Sequence, residues 1–346
     1  MTGRWAQIQR SAFATARVAA VMLGGLPCVA AAQEPAPRTE FESVHMGTTF
    51  RIVAHAPVGT DVETAVEAVF RHIARLDSLF SDYRTDSEIA RLAERAGSSD
   101  WADVSPELWA VLVAARRWSE LSEGAFDITV GPLTRLWRWS SRRAELPTAA
   151  RLSEARSAVG FRHLEMDPGA RAIRLTEAGM SLDLGGIAKG YAADAALSIL
   201  AEHGIAAALV DAGGDLALGH APPGQTGWLV SLPGGDAVRL ADVAIATSGD
   251  ANRYVEIGGV RYAHVVNPFT GLGVIDAPTV TVIATDATSA DALASALTVM
   301  DSEAGAALVR SLEGVSARMV GTRKWTSDSF PGRMPEDGPG NRRDRQ

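Results

Sequence analysis

Residues 181–191 read SLDLGGIAKGY, in which Asp183 stands two residues before a Gly-Gly pair and six before Lys189. The apolar run that follows, AADAALSIL, predicts a helix that begins at this stretch. Gly185 and Gly186 have no Cβ, so the backbone there is free to adopt φ > 0 and to bring its N–H groups against a ligand at the positive end of the helix. The stretch is therefore a candidate phosphate site. A glycine-rich helix start with a solvated lysine is the alternative interpretation.

Further blocks of the chain agree with this candidate site. In chain order they are MGTTF (46–50), LFSDYRTDSEI (79–89), GAFDITVGPLTRLW (124–137), VDAGGDLALG (210–219), ATSGDANRY (246–254), HVVNPFTG (264–271) and TSADALASAL (288–297). Taken together and in this order, the blocks resemble the ApbE-type FAD:protein FMN transferase family. An ordered set of blocks is far more specific than any one of them alone.

Hydrophobic periodicity predicts the elements of the fold. Apolar residues at helical spacing predict helices over 61–79, 106–121, 187–203 and 289–300, and short β-branched or alternating runs predict strands over 50–54, 207–211, 228–232 and 279–284. We expect an α+β fold with a single mixed, mainly antiparallel sheet flanked by helices. The resemblance implies the same fold, related to the T-fold. No Pro/Ser linker divides the core, so one catalytic domain is predicted over 40–331.

The amino-terminal residues predict export. Three arginines precede the apolar stretch 18–32, which ends in Ala30-Ala31-Ala32, a pattern typical of a signal peptide over 1–32 followed by a linker over 33–39. We expect a periplasmic protein; an uncleaved anchor or a disordered leader is the alternative. Cleavage as a lipoprotein at Cys28 would instead anchor the protein to a membrane facing the periplasm, although Pro27 stands where a small residue is wanted.

Charge and composition exclude one class of partner. The chain has 346 residues and a formal charge of −8, which becomes −11 once the three arginines of the leader are removed. Nucleic acid needs a basic face, so it is not an expected partner. Residues 332–346 are rich in Pro, Gly and charge and predict a disordered tail.

Asp291 and Ser295 are four residues apart in a predicted helix, so they share one face and present two oxygens to one point. Hard oxygens suit Mg²⁺, which keeps several waters and leans on substrate phosphates. The competing interpretation is a capping box over 288–291, in which Asp291 only binds backbone N–H groups. The resemblance implies Mg²⁺ binding by Asp291, by Ser295 and by the backbone carbonyl of Gly186. Ala294 stands where some members of the family carry a further acid, which leaves an extra ligand in doubt.

The resemblance also implies a set of FAD contacts. It assigns Asp183 and Lys189 to the flavin nucleotide, and it places Met46 and Tyr83 at its border. From the residues alone, Asp183 is a cap or turn residue, Met46 a core residue and Tyr83 a turn aromatic.

The stretch GAFD, which ends in Ala125, Phe126 and Asp127, supplies small residues, an aromatic face and an acid that could flank an adenine and accept from its amino group. A buried turn between a helix and a strand explains the same stretch.

His264 is a candidate general base. It stands near the end of a predicted strand and is followed by two turn signals, Asn267-Pro268 and Thr270-Gly271. An imidazole near neutrality can take a proton from a hydroxyl nucleophile. A structural histidine is the alternative interpretation.

The resemblance implies the reaction. An acceptor Thr or Ser hydroxyl attacks the flavin-side phosphorus of FAD, AMP leaves, and FMN remains joined to the acceptor through a phosphoester. We expect an acceptor with an exported FMN-binding domain, as a subunit of a membrane redox complex. The alternatives are an FAD pyrophosphatase that yields free FMN and AMP, and a noncatalytic flavin-binding protein.

Overall fold

The computed structural model describes residues 37–249 and 254–332. The predicted signal peptide, the first part of the predicted linker and nearly all of the predicted tail lie outside these residues. Within this part of the chain the helices are α1 (Val62–Phe80), α2 (Glu88–Glu94), α3 (Pro106–Leu121), α4 (Gly131–Arg143), α5 (Ala149–Ser157), α6 (Ala188–Glu202), α7 (Ala287–Val299) and α8 (Ser302–Ser311). Every helix in 37–249 and 254–332 falls short of the length and apolarity that crossing a membrane requires.

The strands of the same part of the chain are short. They are β1 (Arg38–His45), β2 (Thr48–His55), β3 (Ala102–Asp103), β4 (Leu164–Asp167), β5 (Ala172–Leu175), β6 (Ala207–Ala212), β7 (Leu216–Leu218), β8 (Trp228–Ser231), β9 (Ala237–Leu240), β10 (Val243–Ser248), β11 (Tyr254–Ile257), β12 (Val260–Val266), β13 (Gly273–Ile275), β14 (Thr279–Ala284), β15 (Ser316–Val320) and β16 (Trp325–Thr326).

An eight-stranded sheet, ordered β1-β2-β6-β7-β10-β14-β15-β16, organises the fold. All of its neighbouring strands pair antiparallel, and the smaller sheets are β11-β12-β13, β3-β5-β4 and β8-β9. The predicted α+β class is confirmed. The predicted mainly antiparallel sheet flanked by helices is confirmed as well, and three small sheets accompany the large one.

Alternation along the strands divides the core between two faces of the large sheet. In β2, Phe50, Ile52 and Ala54 point to one face, where α1, α3, α6 and α7 cover them, whereas Val53 points to the other. There it packs in a second cluster with the β8–β9 hairpin, which contributes Trp228. These four helices thus lie on one face of the sheet, and the candidate site forms between two of them, α6 and α7.

The structure confirms the predicted helices to within two residues at each end. α3 begins at Pro106 as predicted, because the Ser105 hydroxyl accepts from the Leu108 N–H at 3.2 Å. α1 begins after Asp61, whose carboxylate accepts from the Thr64 N–H at 3.0 Å. Helices α2, α4, α5 and α8 were not predicted. The single catalytic domain over 40–331 stays a prediction.

Candidate active site

The start of α6 and the start of α7 lie against each other and form the frame of the site. Gly190 makes this close packing feasible, because a Cβ at that position would overlap the carbonyl oxygen of Ala287. Asp194 of α6 accepts from the N–H groups of Ala287 and Thr288 at 2.7 and 2.8 Å. In return, Asp291 of α7 accepts from the Gly190 N–H at 3.2 Å. Each helix therefore supplies a carboxylate to the positive end of the other.

The capping-box interpretation of Asp291 was wrong. The N-cap of α7 is Asp286, whose side chain accepts from the Ser289 N–H at 2.7 Å. Asp291 lies one turn further along the helix, where its carboxylate has no role at the start of its own helix. The sequence pattern misled because Asp286 is also a good cap and begins the helix earlier.

Asp291 is buried beside a second acid and a lysine. Lys189 forms an ion pair with Asp215 and its Nζ lies 3.7 Å from an Asp291 carboxylate oxygen. Burial raises the pKa of Asp291 to about 7, the Lys189 ammonium acts in the opposite direction, and Asp215 raises the pKa further. The single ammonium of Lys189 balances only one of the two carboxylates, so a metal cation bound here would neutralise the remaining negative charge. The predicted contact between Lys189 and a nucleotide stays a prediction.

Gly186 and Ser295 meet at the same junction. A Cβ on Gly186 would lie 2.9 Å from the Ser295 hydroxyl oxygen and 3.3 Å from the Phe126 ring. The expectation that Gly185 and Gly186 use positive φ was wrong, because neither is among the positive-φ glycines of the described residues. The glycine at 186 is needed for space. It leaves its backbone close to an oxygen on the same helix face as Asp291.

The donors at this junction fit Mg²⁺ better than they fit a softer metal. Asp291 and Ser295 offer a carboxylate and a hydroxyl one helical turn apart, with the Gly186 backbone alongside. No group of three His, Cys, Asp or Glu side chains placed to hold a metal occurs in residues 37–249 and 254–332. Mg²⁺ suits such a partial set, since it retains waters and takes further ligands from substrate phosphates. Residue 294 is an alanine and lies buried in the main core, so it offers no ligand to the site.

Asp183 joins the glycine loop to a neighbouring arginine. One of its oxygens accepts from the Gly185 N–H at 2.8 Å, and the other accepts from Arg138 at 3.0 Å. Arg138 also pairs with Asp82 at 2.5 Å and lies over the ring of Tyr83, 4.3 Å from the ring centre. Two predicted FAD contacts, Asp183 and Tyr83, are thus connected through one side chain.

The stretch before α4 is built into the core. Asp127 is buried; one oxygen accepts from the N–H and hydroxyl of Thr129 at 2.7 and 2.6 Å, and the other accepts from the Phe161 N–H at 2.8 Å. The alternative of a buried turn therefore accounts for Asp127, whose oxygens already have partners. Ala125 and Phe126 are also buried, and Phe126 lies beside Gly186. Their contact with an adenine stays a prediction.

Met46 occupies the two-residue turn between β1 and β2. Its φ is 49° and that of Gly47 is 72°, so both turn residues lie in the left-handed region. The side chain of Met46 is partly buried against the main core, in line with the structural interpretation. Thr48, two residues on, fills the space where Gly213 lacks a Cβ, and Gly213 belongs to the loop that carries Asp215. The hairpin therefore borders the site.

His264 lies on β12, in the small sheet β11-β12-β13, with an exposed side chain. Its neighbour Ala263 is buried, and the Ala263 carbonyl accepts from Trp137 Nε1 at 3.2 Å. Trp137 belongs to α4, so this hydrogen bond attaches β12 to the helix that carries Arg138, the residue that donates to Asp183. The role of His264 as a general base stays a prediction.

Comparison with known proteins decides the family. The profile of the ApbE family matches residues 46–319. The chain belongs to the ApbE family. An FAD:protein FMN transferase of Treponema pallidum is 34% identical over 298 residues, which cover 80% of this chain and 82% of that protein. One from Vibrio cholerae is 32% identical and covers 90% of this chain and 97% of its own length.

Solved structures of the ApbE family share the fold. The flavin transferase ApbE from Vibrio cholerae has a TM-score of 0.76 at 30% identity, covering 86% of this chain and 99% of that chain. The ApbE protein of Thermotoga maritima has a TM-score of 0.76 at 31% identity, with coverage of 85% and 98%.

Three residues of this ApbE-family site were not singled out from the sequence. Asp215 follows a Gly-Gly pair in VDAGGDLALG, a block for whose acid no role was predicted. Arg138 comes directly after the block that ends at Trp137, and Asp194 reads as an ordinary polar position of a helix. Only for Asp215 did the sequence carry a signal, because it is an acid close to a Gly-Gly pair, as Asp183 is, although on the other side of the pair.

Proposed function

We propose that this chain is an Mg²⁺-dependent FAD:protein FMN transferase. The observation that carries the proposal is the convergence of Gly186, Asp291 and Ser295 at the α6–α7 junction, beside Lys189. The oxygens of these three residues are hard donors, and the names of the ApbE-family relatives supply the reaction.

Asp291, Ser295 and the backbone carbonyl of Gly186 are the residues that would hold Mg²⁺. When bound, the ion would neutralise charge on the pyrophosphate of FAD. Asp215 holds Lys189 at the same junction, so a fixed ammonium is available to the charge that develops on the phosphoryl oxygens. The positive end of α6 adds to that field.

The proposed reaction joins an acceptor oxygen to the flavin-side phosphorus. A Thr or Ser hydroxyl of the acceptor attacks that phosphorus, the bond to the bridging oxygen breaks, and AMP leaves with that oxygen. His264 takes the hydroxyl proton. FMN then remains on the acceptor as a phosphoester.

We also propose where this reaction takes place. The arginine, apolar and alanine pattern of residues 1–32 supports export to the periplasm. An acceptor reached there would carry an exported FMN-binding domain, as in a subunit of a membrane redox complex.

The test incubates the mature protein with FAD, Mg²⁺ and a candidate acceptor domain. Release of AMP together with a mass increase of the acceptor by one FMN phosphoester is the expected result. AMP with free FMN, whether or not an acceptor is present, would instead identify a pyrophosphatase. FAD binding without AMP would identify a noncatalytic flavin-binding protein. The same acceptor with its attacking Thr or Ser changed to Ala is the control and should gain no mass.

A further inference from the structure

Arg138 of α4 connects two segments that are far apart in the sequence. Its Nη1 lies 2.5 Å from Asp82 and its Nη2 donates to Asp183 at 3.0 Å. The same guanidinium lies over Tyr83, 4.3 Å from the ring centre. Because the group is planar and uses a different nitrogen for each acid, it fixes both acids at once.

This arrangement holds an exposed aromatic ring in place. Tyr83 is 74% exposed, whereas the side chains of Asp82 and Asp183 are only 17% and 12% exposed. Without a contact, an exposed tyrosine on a turn populates several rotamers. The cation–π contact with Arg138 favours one of them and leaves the opposite face of the ring toward solvent.

Asp183 extends the arrangement into the glycine loop. Its second oxygen accepts from the Gly185 N–H at 2.8 Å, and its own N–H donates to the Ile128 carbonyl at 2.8 Å. Arg138 is therefore linked to the turn that leads to Gly186. Burial and the nearby Asp183 charge raise the pKa of Asp82, so these two carboxylates need the guanidinium between them.

We propose that Arg138 is a positioning residue for nucleotide binding. It fixes the position of the Tyr83 ring relative to the Asp183–Gly185 turn. The exposed face of Tyr83 then receives a planar ring of the nucleotide, and the turn receives the adjoining part. The inference rests on the proposed function, since it takes FAD as the ligand.

The test measures FAD affinity without an acceptor, by quenching of flavin fluorescence. Arg138→Met should weaken binding about tenfold, the order that a partly desolvated cation–π contact and its ion pairs supply. Arg138→Lys keeps the positive charge but has a single nitrogen, so its loss should be intermediate. Arg135→Gln, an exposed arginine three residues earlier on α4, is the matched control and should bind as the wild type does.

A double-mutant cycle with Tyr83→Ala separates positioning from a general structural role. If Arg138 acts through Tyr83, the double variant should lose less than the product of the two single losses. In the transfer assay, Arg138→Lys should raise the KM for FAD while kcat at saturating FAD stays near wild type. Thermal unfolding verifies that each variant is folded, and Arg138→Lys carries the test if Arg138→Met is not.

Two results would overturn the inference. One is wild-type FAD affinity in Arg138→Met or, where that variant is unfolded, in Arg138→Lys; the other is a loss that multiplies independently with that of Tyr83→Ala. Absence of FAD binding by the wild-type protein would instead refute the proposed function, and this inference with it.

Discussion

The carboxylate of Asp291 on α7 accepts a hydrogen bond from the backbone N–H of Gly190, in the first turn of α6, at 3.2 Å. A negative charge at this end of α6 is favourable by itself. Asp291 therefore has a structural role that needs no metal. Loss of activity on removing the whole side chain would not distinguish the two roles, so the informative substitution has to keep the hydrogen bond and remove the charge.

Asp291→Asn meets that requirement. The amide oxygen still accepts from Gly190, so the free energy of unfolding should fall by only about 1 kcal/mol. If Asp291 binds Mg²⁺, FMN transfer should collapse or require far more Mg²⁺, because the charge of the ligand is gone. Titration of the transfer rate with Mg²⁺ measures this, and Ser295→Ala should shift the curve in the same direction more weakly.

Asp286→Asn is the control for that experiment. Asn still caps α7, and the variant removes one carboxylate from the same helix start without touching the Gly190 contact. Its Mg²⁺ dependence should equal that of the wild type. An Asp291→Asn protein with wild-type activity and Mg²⁺ dependence would defeat the metal assignment.

Gly186→Ala tests whether the glycine is kept for space. The new Cβ would lie 2.9 Å from the Ser295 hydroxyl and 3.3 Å from Phe126, so one of these groups has to move. We expect a protein that folds, with stability lowered by about 1–3 kcal/mol and with a weaker Mg²⁺ response. Thermal unfolding and the Mg²⁺ titration measure the two effects.

Gly332→Ala is the matched change, since nothing lies within 4 Å of a Cβ there. It should alter neither stability nor Mg²⁺ response. If Gly186→Ala behaves like this control, the junction is looser than the contacts indicate, and Gly186 has no special role.

Much of this fold could be predicted from local patterns. The ends of α3 were correct because Ser105 and Pro106 are strong start signals, and β14 was correct because a β-branched run fills it. Helix α5 was missed because it has no buried residue and thus no apolar stripe to read.

The site was predictable only where its residues share one local motif. Asp183, Gly186 and Lys189 stand together in the sequence, and Asp291 with Ser295 shows helical spacing. The ion pair between Lys189 and Asp215, the Arg138 bridge and the contact from Asp291 to Gly190 depend on how distant segments pack. A single sequence contains no pattern that reports such contacts.

Lys189→Met should make stability depend on metal. The ammonium is the counterion of Asp215 and lies 3.7 Å from Asp291, both of them buried. Without the ammonium, two carboxylates remain close together with no counterion. The free energy of unfolding, measured with a metal chelator present, should therefore fall by about 1–3 kcal/mol. If Mg²⁺ binds the folded protein at this junction, it supplies the missing charge and should raise the Tm of Lys189→Met more than that of the wild type.

Lys324→Met serves as the comparison, because it removes a lysine from outside the site. An equal Mg²⁺ response in Lys189→Met and the wild type would contradict the expectation that Mg²⁺ replaces the charge of Lys189 beside these acids.

Export is tested by the amino terminus of the mature protein. Cleavage after Ala32 would leave Gln33 as the first residue, and the fraction released from the periplasm should contain that form. Edman sequencing or intact mass measures it. Retention of Met1 in a cytoplasmic product would contradict export, and a lipid-modified Cys28 would support the membrane-anchored alternative.

His264→Ala separates a general base from a structural histidine. The side chain is exposed on β12, while the strand is held by buried neighbours, including Ala263 with its bond from Trp137. Removing this exposed side chain should leave the protein folded, which thermal unfolding verifies. A base acts on the acceptor hydroxyl and not on bound FAD, so FAD affinity should stay near wild type while the transfer rate falls by a factor of about 10²–10⁴.

His220→Ala is the control, because His220 is an exposed histidine paired with Asp242, and this variant should transfer FMN normally. Transfer at the wild-type rate in His264→Ala would assign the proton to another group, whereas a loss of FAD affinity equal to the loss of rate would make His264 a binding residue.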